Sequence, residues 1–182
     1  MPAFPLTPHP STSSPWVKGV RVVVDRQPRG GLRCIYEVEG QIDHLAVPEP
    51  GPANRTDELW RLTCFEVFLR TAARTDYDEF NFSPSGEWAA YRFDHYRTGM
   101  VELELAAAPR IITTCTAELL RVDASVGAAE RPFEQVVLAL SAILKDRVGN
   151  VSYWALQHPP GKPDFHHEAA FAVAPWSDRS TK

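Results

Sequence analysis

The chain has 182 residues, 44% hydrophobic and 23% charged, enough to bury a core and too apolar for a disordered segment. Lys+Arg 19 against Asp+Glu 23 gives a net charge of -4, with no basic run of the kind that binds nucleic acid. No stretch approaches the roughly 20 apolar residues of a membrane span, and the N-terminus lacks the pattern of a secretory signal. The expected compartment is therefore the cytoplasm, and neither nucleic acid nor membrane is an expected partner.

Prolines at positions 2, 5, 8, 10 and 15 mark residues 1–15 as an extended, irregular arm. A single domain is expected over 16–176, with a polar tail at 177–182. "VKGVRVVVDR" alternates Val20, Val22 and Val24 with polar neighbours, as a half-buried strand does. "RQPRGG" is a turn, and "LRCIYEVEG" alternates again. "QIDHLAVP" reads as a short strand before a Pro-rich loop.

"LTCFEVFLR" puts Phe65, Val67 and Leu69 on one face, and Cys64, Glu66 and Phe68 on the other. "YDEFNFSP" and "EWAAYRFDHY" form an aromatic-rich hairpin around a Ser-Pro-Ser-Gly turn, with Glu79 and Asn81 on the face opposite Phe80 and Phe82. "RIITTCTAELLRVDASV" is strand-like. "FEQVVLALSAILKD" is compatible with a helix by composition, but the turn signal "DRVGN" into "VSYWALQHPP" favours a strand. "HEAAFAV" is the last strand. Some ten short strands and no long helix predict an antiparallel β-sandwich or barrel.

The three cysteines, Cys34, Cys64 and Cys115, show no CxxC spacing, and each sits in a strand-like apolar run. All three read as buried core residues in a reducing compartment.

Several side chains could carry chemistry. Glu66 shares a face with apolar neighbours and so needs a partner such as Arg61, Arg92 or a histidine. It is either a ligand-binding carboxylate or half of a structural pair. "QHPPGKPDFHHE" holds His158, His166 and His167 in a loop fixed by Pro and Gly. Trp60, Trp88, Trp154, Tyr91, Tyr96 and Tyr153 lie beside strands and turns, interleaved with Asp, Glu, Asn, Arg and His. That mixture suits a sugar, whose C–H faces stack on rings while its hydroxyls need polar partners. Each Trp taken alone reads more simply as core. Met100 with His166 or His167 would make a Met/His haem ligand pair, noncovalent because no CxxCH is present. No GxSxG, HExxH or Gly-rich phosphate loop occurs. Ser83 and Ser85 read as turn residues, and no separation is fixed for a glycosidase-type carboxylate pair.

The blocks "DELWRLTCFEVFLR", "YDEFNFSPSGEWAAYRFDHYRTGM" and "SYWALQHPPGKPDFHHEAAF" resemble signature blocks of small bacterial DOMON-like proteins, in the superfamily of the type 9 carbohydrate-binding modules. The resemblance implies a jelly-roll-type β-sandwich and a ligand that is a sugar or haem. It places Trp60 and Glu66 in the sugar-site strand block, with Trp88 or Trp154 as a second ring. It makes Met100 and His166 or His167 the loosely matched haem ligands.

The expected function is noncatalytic binding of a carbohydrate or sugar-derived metabolite. Trp60, Trp88, Tyr91 and Trp154 would stack, and Glu66, Glu79, Asn81, Arg92 and His166 would form hydrogen bonds. The alternatives are a haem b electron-transfer module, a metal-dependent enzyme using Glu66 and the late histidines, and a protein-interaction scaffold. Free sheet edges allow a monomer or a homodimer.

Overall fold

A computed structural model describes residues 3–27, 30–127 and 136–173. The tail expected at 177–182 lies outside them, as do the first residues of "FEQVVLALSAILKD". The described chain is an all-β antiparallel sandwich of twelve strands.

One sheet runs β2 (Val17–Gln27), β3 (Gly31–Gly40), β9 (Leu119–Val126) and β8 (Arg110–Cys115). The other runs β7 (Val101–Glu102), β6 (Trp88–Phe93), β5 (Tyr77–Phe82), β4 (Cys64–Thr71), β10 (Val136–Lys145) and β11 (Val151–Ala155). A two-residue β12 (Ala172–Val173) also pairs with β10. The composition of "VVLALSAILK" left helix and strand open, and its pairing with β4 on one side and β11 on the other settles it as a strand.

β1 (Ala3–Pro8) joins the two sheets. Ala3–Leu6 pair with β2, then Thr7 and Pro8 pair with β11. The proline-rich start is thus a strand over these residues rather than an irregular arm. Proline's fixed φ suits extended backbone, and each half of β1 pairs on one side only, so a missing N–H costs the sheet little.

Three further readings change. "QIDHLAVP" is not a strand: Ile42–His44 form a 3-10 turn, and Leu45 makes only an isolated bridge to Asp146. The buried residues there are Ile42 and Leu45, three apart, which matches a three-residue turn better than a two-residue repeat. "HEAAFAV" is mostly a 3-10 turn, Glu168–Ala170, before β12. Cys34 and Cys64 are buried as expected, but Cys115, the last residue of β8, is exposed.

The core fills the space between the sheets. Val20, Val22, Val24, Tyr36, Val38 and Val122 meet Phe65, Val67, Leu69, Phe80, Phe82 and Leu140. Tyr36, fully buried, donates its hydroxyl to the Glu66 backbone carbonyl at 2.7 Å, so one sheet fixes a strand of the other. A second apolar cluster, including Phe68, Tyr77, Tyr91, Phe93 and Ile143, lies on the outer face of the β4–β5–β6–β10 sheet. The loop after β11 covers it through Phe165 and Ala170.

Candidate functional site

Strand register brings the polar residues of this outer face together. Ser141, Glu66, Asn81 and Ala89 are successive partners across β10, β4, β5 and β6. The neighbouring row on the same face is Ala139, Phe68, Glu79 and Tyr91. Alternation along each strand and pairing across strands therefore set Glu66 and Glu79 in adjacent rows.

Both carboxylates line a cleft of about 630 Å³. Trp60, Tyr91, Phe93, Met100, Ile143, Tyr153, Pro163 and Phe165 supply its apolar lining, and Arg97, Lys162 and His166 add polar groups. Trp60 sits in the 3-10 turn Leu59–Arg61, anchored by buried Leu59 and entered through Glu58 in the left-handed region (φ 61°). It stays 37% exposed at the rim, its ring 6.1 Å from that of Tyr91. The Tyr91 hydroxyl donates to Asp57 at 2.6 Å, which fixes the ring from outside the cleft.

The carboxylates are sparsely compensated. Ser141 Oγ donates to Glu66 Oε2 at 2.9 Å, and Asn81 Nδ2 donates to Glu79 Oε1 at 2.7 Å. Burial pushes Glu66 up to about 8, and the nearby Glu79 adds to the rise, against the Ser141 hydrogen bond and the Arg97 charge. Burial likewise pushes Glu79 up to about 7, against the Asn81 hydrogen bond and Arg97.

His166 is held the other way. Burial, helped by the Arg97 charge, lowers it to about 4. Its Nδ1 lies 2.8 Å from the Tyr77 hydroxyl, which also accepts from Arg97 N–H at 3.2 Å. The Tyr77 proton is thus free to point at Nδ1, which places the imidazole proton on Nε2, 3.8 Å from Glu79 Oε2. Near neutral pH the imidazole carries no charge to pair with Glu79, and the contact is too long for a hydrogen bond.

Two loops close the ends. In the β6–β7 turn, Gly99 (φ 65°) is required because a Cβ there would fall 2.2 Å from Asp94 Oδ2. Arg97 from this turn pairs with Asp164 at 2.9 Å, and Tyr96 donates to the same carboxylate at 2.5 Å. The loop after β11 is pinned by His158 Nε2 against Thr7 O (2.9 Å) and His9 Nε2 against Gly161 O (3.0 Å).

Of the residues expected at the site, Trp60, Glu66, Glu79, Tyr91 and His166 share the cleft lining, and Asn81 supports Glu79 from beneath. Three lie elsewhere. Trp154 is 4% exposed in the core between the sheets. Trp88 packs against that same core, beside Arg55. Arg92 makes a two-point contact with fully buried Asp78 at 2.8 and 3.2 Å, on the face opposite Tyr91. Alternation carries the signal in each case: Tyr153, not Trp154, faces outward, and Trp88 pairs with inward-facing Phe82. Tyr153, noted among the aromatic residues, also lines the cleft, and Phe93, Arg97, Lys162 and Phe165 complete it without having been singled out for it. For the loop residues among them, nothing short of the three-dimensional path of the loop could have done so.

Of the two histidines paired with Met100 in the haem alternative, His166 and not His167 lines the cleft. Met100 and His166 both line the cleft, but His166 is held by Tyr77 at one nitrogen and faces Glu79 with the other. Its ring is also packed edge-on against Phe68, Tyr77 and Phe93. His167 caps the Glu168–Ala170 turn, its Nδ1 accepting from Ala169 N–H. Among the described residues no group of three His, Cys, Asp or Glu side chains is placed to hold a metal ion.

No protein-family model and no curated protein sequence matches the chain. Solved structures do. A candidate carbohydrate-binding protein from Bacteroides uniformis ATCC 8492 aligns with a TM-score of 0.63 and 11% identity, over 94% of this chain and 84% of that one. The likeness shows a shared fold. A family 9 carbohydrate-binding module from Caldicellulosiruptor kristjanssonii, solved with cellotriose and with glucose, aligns with a TM-score of 0.47 and 14% identity. Those alignments cover 83% of this chain and 70% and 72% of the module chains.

Proposed function

We propose that the protein is a noncatalytic carbohydrate-binding sandwich whose ligand lies in the outer-face cleft. The observation that carries this reading is the pairing of an aromatic rim with two buried carboxyl groups beneath it. Sugars need that combination: apolar faces to stack on, and a few fixed polar groups that set orientation. Trp60 and Tyr91 serve as stacking rings, with Glu66 and Glu79 as hydrogen-bond partners and Asn81 and Ser141 holding them. The DOMON-like character of the three sequence blocks belongs to this reading, and the fold shared with the Bacteroides protein supports it.

Calorimetric titration with glucose, cellobiose and cellotriose tests it. Saturable binding is expected. Trp60→Ala should weaken it at least about tenfold, near 1.4 kcal/mol, while the melting temperature stays put because the ring is already partly exposed. A wild-type protein that binds no sugar, neutral or amino, or a Trp60→Ala variant that binds as tightly, would sink the reading.

A further inference from the structure

The floor of the cleft carries more acid than a neutral ligand needs. Glu66 and Glu79 are each only 3% exposed, and both line the cavity. Glu66 Oε2 takes the Ser141 hydrogen bond, and among the described residues no protein donor reaches its other oxygen. Glu79 Oε2 has only the distant His166 Nε2. Neither carboxylate is ion-paired to Arg97 or Lys162: Arg97 contacts Asp164 and acts on the glutamates only at a distance, and exposed Lys162 makes no ion pair with either. An acidic pair buried without a counter-charge is costly unless it stays protonated or a ligand brings the charge.

The walls favour a cation as well. Trp60, Tyr91, Phe93, Tyr153 and Phe165 turn aromatic surface towards the same space, and ring faces attract ammonium groups. A neutral sugar would satisfy the rings and leave the carboxyl pair with hydroxyl partners only. A sugar bearing an amine would satisfy both.

We propose that the cleft selects amino sugars, with the ligand's ammonium seated against Glu66 and Glu79 inside the aromatic rim. This rests on the carbohydrate reading above and names the ligand class. It also entails a proton balance. The pair holds protons in the empty protein, so an ammonium that draws it into the charged form releases protons to solvent on binding. The groups facing the pair are Tyr77 on β5, Tyr91 on β6, Arg97 on the β6–β7 turn, Tyr153 on β11, and Lys162 and His166 on the covering loop, with Cys64 next to Glu66 on β4 and Asp164 behind Arg97. Arg97 acts on both carboxyl groups through its charge without pairing with either, so a ligand ammonium seated against them adds the contact charge the chain does not supply.

The test is calorimetry of the full chain at neutral pH with glucosamine, N-acetylglucosamine and glucose, each in two buffers of different ionisation enthalpy. Glucosamine should bind at least about tenfold more tightly than the other two, and only its apparent enthalpy should depend on the buffer, with the sign of proton release. Glu66→Gln and Glu79→Gln should each weaken glucosamine more than glucose, so that the preference collapses. The wild-type comparison stands even if a variant folds poorly. Equal or better binding of glucose or N-acetylglucosamine would overturn the amine assignment and leave the carbohydrate reading intact. No binding of any of the three would remove both.

Discussion

The strands of the outer sheet carry two unlike faces. Inward, Phe65, Val67, Leu69, Phe80 and Phe82 pack against the opposite sheet. Outward, one residue along, Glu66, Glu79, Asn81 and Ser141 sit in a face capped by loops and aromatic rings. Both faces are buried, and β5 is buried at every position. Burial alone therefore does not separate core from site. What separates them is that the inner face is closed by another sheet, while the outer one is closed by two loops that leave a cavity. The inner face is optimised for density; the outer one holds buried polar groups that cost stability unless something binds there.

The most severe way to break the comparison is to hollow the inner face. Phe80→Ala should cost about 3–5 kcal/mol, read as a lower urea midpoint, because Phe80 is 1% exposed between two sheets. If it cost no more than a surface substitution, the inner face would not be the stabilising one.

A second test uses pH to mark the outer face. Glu66 binds its proton more tightly folded, up to about 8, than its ordinary value of 4.5. The folded state then holds more protons in that window, so this contribution to stability declines as pH rises through it and is flat above. His166 does the reverse between about 4 and 6.5, where the folded state holds fewer protons and stability rises with pH. The two oppose each other in mildly acid solution, and the carboxyl pair alone acts from there to about pH 8. Glu66→Gln should abolish much of that decline, whose slope cannot exceed about 1.4 kcal/mol per pH unit per proton. Parallel pH profiles for variant and wild type would mean that Glu66 titrates normally.

The smallest effect is expected on the solvent side of the other sheet. Arg33 makes a two-point contact with Asp123 at 2.8 and 2.6 Å, both partly exposed. Arg33→Ala should change stability by less than about 1 kcal/mol and leave sugar titrations unaltered.

Much of this division was legible in the residues. The alternation in "CFEVFLR" and "YDEFNF" assigned both faces of β4 and β5 correctly, because a period of two has only one solution once a face is apolar. The same rule, applied to Trp88 and Trp154, would have sent both rings inward; counting aromatic residues without their parity put them at the site. What no periodicity carries is the closure of the cleft. Arg97, Lys162 and Phe165 reach it through loops whose path depends on long-range anchors such as His158 on Thr7 and Arg97 on Asp164. Short 3-10 turns such as Ile42–His44 imitate a strand in composition and differ only in whether the buried residues fall two or three apart.

The first strand has a consequence for synthesis. Thr7 pairs with Ala155, 148 residues later, and β1 is the only strand hydrogen-bonded to both sheets among the described residues. On a ribosome it emerges well before one of its two neighbours, whose partner residue follows 148 positions later. The seam of the sandwich must wait for the intervening strands of both sheets, a high-contact-order step that slows folding. Until then β1 presents an open edge suited to pairing with another nascent chain.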